Sequence, residues 1–159
     1  MTSQQEICTH DDPVWRGRAN FILMADLSSS GMPGRWEQLW AQKTGDNGLI
    51  LCCIPFFAYG IALGDEISAN PGSEFEWVMD RVIEDAGDVA VRAALVSDDW
   101  SKVADSLIRY VEQVGLPWEI HNQRYVAVSC RKPSGQLEEL VGRLEALETD
   151  RKIEYEFSK

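Results

Sequence analysis

From Asp88 to Phe157 the apolar residues switch repeatedly between the two-residue period of a strand and the three-to-four-residue period of a helix. Asp88-Val89-Ala90-Val91-Arg92-Ala93-Ala94-Leu95-Val96 reads as a strand. Trp100, Val103, Ala104, Leu107, Val111 and Val114 then fall on one helical stripe, which Ser97 or Asp98 can cap and which Gly115 and Pro117 stop. Trp118-Glu119-Ile120-His121 and Arg124 to Cys130 make two strands around Asn122-Gln123. After Pro133-Ser134, a second stripe carries Leu137, Leu140, Val141, Leu144 and Leu147, and Lys152-Ile153-Glu154-Tyr155-Glu156-Phe157 closes as a cleanly alternating strand. The order is β-α-β-β-α-β, that of a ferredoxin-like unit, which makes the expected class α+β.

The first half has a different rhythm. Arg18 to Leu27 reads as a strand, and Ser28 to Gly34 as a loop. Trp36 to Thr44 precedes Asp46-Asn47-Gly48 and the apolar run Leu49 to Ile54; Asn-Gly between two such runs signals a hairpin, because both residues accept positive φ. A short helix at 35–42 is the alternative. Pro55 stops the strand, and Gly64-Asp65 turns the chain into Glu66-Ile67-Ser68-Ala69, as at the corner of a small barrel. Residues 14–73 therefore read as a small β-barrel-like module, 74–159 as the ferredoxin-like module, and 1–13 as a polar, flexible arm, with the whole forming one compact unit. Glu74 to Glu84 fits a strand, or a helix begun by a Ser73/Glu76 capping box. The strand is preferred, since Asp85-Ala86-Gly87-Asp88 would then turn it back as a hairpin.

The formal charge of the 159 residues is -11, which disfavours a phosphate backbone and would steer a basic protein toward the chain. Nothing at the N-terminus resembles a signal run, and no apolar segment approaches twenty residues, so no membrane is expected. Cys8, Cys52, Cys53 and Cys130 show no framework spacing, which fits a reducing cytoplasm.

Candidate chemistry is sparse. Cys8-Thr9-His10-Asp11-Asp12 packs possible metal ligands together but lacks a second pair, so it reads as a polar arm, and neither metal nor cofactor is expected. Cys52 and Cys53 sit in an apolar run where a thiol is inert unless His121 approaches. Asp98-Asp99 suits a helix start, Glu138-Glu139 a solvated helix face, and Asp65 a turn that bonds its own backbone. What remains is a surface: Glu74, Glu76, Asp80, Glu84, Asp85, Asp88, Asp98 and Asp99, with Trp77 and Trp100 as aromatic anchors.

Gly31-Met32-Pro33, Trp36 to Ala41, Ile54-Pro55-Phe56-Phe57-Ala58 with Gly64-Asp65, Tyr125 to Val128 and Glu154-Tyr155-Glu156 together resemble a bacterial family known only as domain of unknown function 4265. Cys52-Cys53 departs from the polar or acidic residue expected before its Ile-Pro. The resemblance implies no activity. Small acidic bacterial proteins of this kind are similar to immunity proteins. The expectation is a non-catalytic cytoplasmic protein that binds a protein partner, a basic toxin domain in the immunity case, by occluding its active site. The alternative is a small-molecule-binding regulator or small enzyme that uses the groove between the two halves.

Overall fold

The computed structural model describes residues 5–45 and 47–159. Its strands are β1 (Glu6–Cys8), β2 (Phe21–Asp26), β3 (Arg35–Thr44), β4 (Gly48–Leu51), β5 (Glu66–Pro71), β6 (Trp77–Glu84), β7 (Asp88–Leu95), β8 (Trp118–Asn122), β9 (Tyr125–Arg131) and β10 (Ile153–Phe157). Helix α1 (Trp100–Gln113) lies between β7 and β8, and α2 (Gly135–Thr149) between β9 and β10.

The ten-residue β3 organises the first half. Its alternation turns Glu37, Leu39 and Ala41 inward and leaves Trp36 and Trp40, on its other face, half-buried. It pairs with β2 along residues 36–41 and with β4 along 41–44, both antiparallel, and carries β1 in parallel at its start. β4 continues to β5, β5 to β6, and β6 returns to β2 through a parallel pairing of Val78 with Met24. The sheet therefore closes on itself, and Leu23, Leu39, Leu49, Leu51 and Ile67 fill it.

In the second half the sheet order is β10-β7-β9-β8 with every neighbour antiparallel, which is the ferredoxin-like arrangement. Helices α1 and α2 cover one face, joining Leu107, Val111, Leu140 and Leu144 to Val89, Val91, Val126 and Val128. Residues Ala90 and Ala127 on the other face meet Ile54, Phe56 and Leu63. Those three belong to the segment 52–65 between β4 and β5, which is wedged between barrel and sheet. This burial from both sides makes β7 a near-continuous apolar run rather than an alternating one.

Several expectations change. The arm at 1–13 is not loose over its described part: β1 pairs with β3, and His10 is only 2% exposed. Residues 1–4 lie outside the described residues. β6 is a strand, but it closes the barrel and does not turn back onto β7, so the second unit begins at Asp88 rather than at residue 74. Parallel pairing with β2 gives β6 a second edge partner that a hairpin with β7 would have displaced. Residues 35–42 are strand, not helix. The predicted β3–β4 hairpin forms, yet the residue with positive φ is Gly45 (φ +60), because Gly48 is already paired with Thr44; Asp46 lies outside the described residues. Strand β4 ends at Leu51, so Cys52 and Cys53 belong to the wedge. Asp99 is the N-cap of α1 in place of Ser97 or Asp98, and the Ser97 hydroxyl donates to its carboxylate.

Candidate functional site

Three distant segments bring one imidazole and two carboxylates together beneath the wedge. Strand β3 turns Glu37 into the barrel mouth, β8 turns Glu119 toward the barrel, and the chain after β1 lays His10 between them. His10 Nε2 lies 2.8 Å from Glu37 Oε2, and His10 Nδ1 lies 2.8 Å from Glu119 Oε1. All three side chains are buried. The His10 ring stacks on Phe56 at 4.2 Å between centroids.

The carboxylates also hold the wedge. Glu37 accepts the backbone N–H groups of Phe56 (2.7 Å), Phe57 (2.9 Å) and Ala58 (2.9 Å). Glu119 accepts that of Ile54. From the opposite side the buried Arg92 donates to the Ala58 carbonyl at 2.9 Å and pairs with Glu156, while the Tyr125 hydroxyl donates to the Phe56 carbonyl. The Pro-Phe-Phe-Ala segment thus runs between a line of acceptors and a pair of donors. At its far end Asp65 accepts from Ala62 N, as a turn carboxylate should, and also from Ala86 N.

Two carboxylates facing both ring nitrogens are both satisfied when His10 is an imidazolium that donates on either side. Burial works against that charge, but the Cys53 sulfur, Glu119 and Glu37 hold the His10 pKa well above the ordinary histidine value. Burial likewise opposes the Glu37 charge; His10 and the Phe56 and Phe57 N–H groups overcome it and lower the Glu37 pKa. With both nitrogens engaged, His10 has no lone pair for a metal or for proton abstraction. Among the described residues no group of three or more histidine, cysteine or acidic side chains is arranged around a metal position. The chemistry of this cluster is cohesion.

A second histidine lies next to it. Cys8 Sγ is 3.5 Å from His121 Nδ1 at a cleft of about 160 Å³ that also exposes Glu6, Met32, Trp36 and Phe57. Burial, then the charge of Glu37, pushes the Cys8 thiol up to about 12. Burial lowers the His121 pKa. The pair rests as neutral thiol and neutral imidazole, not as a thiolate–imidazolium nucleophile. His121 therefore meets Cys8, not Cys52 or Cys53; Cys53 lies against His10, and burial raises its pKa.

The predicted acidic surface divides into separate places. Glu74 meets Gln5 beside a polar cleft of about 560 Å³, and Glu76 is exposed in the same loop. Trp77 packs on the barrel core and on Phe21, while Asp80 and Glu84 are exposed on β6. Asp85 pairs with Lys159, and Asp88 accepts from Ser129 and lies near Arg131. Asp98, Asp99 and Trp100 follow the other end of β7, roughly 23 Å away at about 3.3 Å per residue; there Lys152 lies 2.8 Å from Asp99 and Arg124 covers Trp100. Sequence reasoning missed the cluster itself. Its one visible sign was Glu37, an acid on the inward side of an otherwise apolar strand face.

A family model described as "Domain of unknown function (DUF4265)" matches residues 37–155. A solved structure described as a novel crystal structure of a hypothetical protein from Neisseria gonorrhoeae has the same fold, with a TM-score of 0.67 at 20% identity over 86% of this chain and 92% of that one. No curated protein matches the chain.

Proposed function

For a chain that belongs to the family of that domain of unknown function (DUF4265), we propose a non-catalytic binding role in the cytoplasm, of the kind an immunity protein has when it occludes a toxin's active site. The carrying observation is the engagement of the titratable core. Glu37, His10 and Glu119 are consumed in holding the wedge, and Cys8 is held as a protonated thiol. A rigid scaffold with a net charge of -11 suits capture of a basic protein surface. Affinity capture of the full chain from its native host, followed by reconstitution with the identified protein, tests this. A stoichiometric complex that silences the partner's activity supports it. A chain recovered alone, with turnover of a metabolite, sinks it.

A specific observation favours one other reading. The cleft between the halves gathers Cys8, His121 and Glu6, as a small-molecule-binding regulator or a small enzyme would require. A metabolite that raises the melting temperature of the parent protein, but not of the Cys8→Ser and His121→Gln variants, would move the proposal there.

A further inference from the structure

Strand β8 is the free edge of the second sheet. Among the described residues its backbone ladder pairs with β9 alone, so alternate N–H and C=O groups along its five residues point away from the sheet. A groove of about 590 Å³ runs along this edge, lined by Asp11 to Val14 and by Trp118 to Gln123. Its two long sides differ. Glu119 and His121 face the barrel, alongside Asp11 and Asp12, both exposed carboxylates. Trp118 faces the helices, and Ile120, on the same side by strand alternation, is 46% exposed. No lysine or arginine lines the groove, and Arg124 in the adjoining turn is folded over Trp100.

We propose that the β8 edge takes up an extended peptide segment of a basic partner protein as an added strand, with lysine or arginine side chains toward Asp11 and Asp12 and apolar side chains toward Trp118 and Ile120. The inference rests on the binding role proposed above and names its surface and the chemistry of its partner. Backbone hydrogen bonds supply register-independent affinity, and the alternation of the two walls supplies the specificity. A second copy of this chain is disfavoured at the same edge, because pairing β8 with itself sets the Asp11-Asp12 walls of two strongly acidic molecules against each other.

The probe is a labelled peptide of alternating lysine and valine, compared by fluorescence polarisation with a peptide of the same composition in two blocks. The alternating peptide should bind more tightly, and its affinity should fall with salt. Asp11→Asn with Asp12→Asn, both at exposed positions, should weaken it about threefold to tenfold. Hydrogen exchange should slow at the Trp118 and Ile120 amides on binding. Equal affinity for both peptides, an unchanged affinity in the double variant, protection elsewhere, or a dimer formed through β8 would each overturn the proposal. A native partner that binds the full chain without displacing the peptide leaves the binding role standing and removes this edge from it.

Discussion

Replacing Glu37 by glutamine separates the structural account of the buried cluster from any catalytic one. The carboxylate accepts four hydrogen bonds, from His10 and the Phe56, Phe57 and Ala58 amides, at 2.7 to 2.9 Å. Glutamine keeps one acceptor oxygen and sets an NH₂ against the donors at the other. Whichever way the amide turns, two donors lose their acceptor and face another donor. Hydrogen bonds to a charged group contribute about 1.5–3 kcal/mol each, so the expected loss is about 3–6 kcal/mol. That is a large share of the roughly 5–15 kcal/mol stability of an ordinary domain. At about 2–4 °C per kcal/mol for a chain of this size, the melting temperature should fall by about 6–24 °C. Urea unfolding followed by tryptophan fluorescence measures the loss directly. The parallel variant His10→Gln tells whether the amide contacts persist without the imidazolium: the Glu37→Gln loss should remain substantial in that background. A loss below about 1 kcal/mol in the parent background would refute the claim that Glu37 anchors the wedge.

The protonated His10 predicts a pH dependence. Its folded pKa lies well above the ordinary histidine value of about 6.5, so the native state keeps a proton that the unfolded chain releases. That stabilisation is complete below about pH 6.5 and is lost as pH rises through the folded value; melting temperature should decline above neutral pH, and His10→Gln should flatten the decline. Cys8, with a thiol near 12, should react with iodoacetamide at pH 8 at least about a hundredfold more slowly in the folded protein than in urea; mass spectrometry of the alkylated peptide gives the ratio, and a fast-reacting Cys8 would revive a nucleophilic role. Arg92→Met removes a fully buried cation from the Ala58 carbonyl and Glu156, and denaturant titration should show a loss of about 2–4 kcal/mol.

Local chemistry made the second unit legible. The stripes of α1 and α2 and the alternation of β10 are set by neighbours in sequence, and Ser134 caps α2 through the Leu137 amide as a serine before a helical run should. The β3–β4 hairpin was legible for the same reason. Pairing of β6 was not, because a half-buried strand with carboxylates on one side fits a hairpin with β7 as well as closure against β2. The arm at residues 5–13 was misread because its polarity is its function: His10 and the two carboxylates it meets are buried only in each other's company, and Cys8 is half-buried beside His121.

By itself, the sequence determined the strand and helix periods, the β3–β4 hairpin and the ferredoxin-like order, all of which depend on residues a few positions apart. Only the tertiary structure decided what the wedge is for. Ile54 to Ala58 is a buried, irregular backbone whose N–H and C=O groups cannot find partners in their own segment. Glu37, Glu119, Arg92 and Tyr125 supply them from between about 20 and 70 residues away, and His10 makes the two buried carboxylates tolerable, reaching Glu37 across 27 residues and Glu119 across 109. No local pattern encodes partners at such distances; they exist once barrel and sheet have closed on the same five residues.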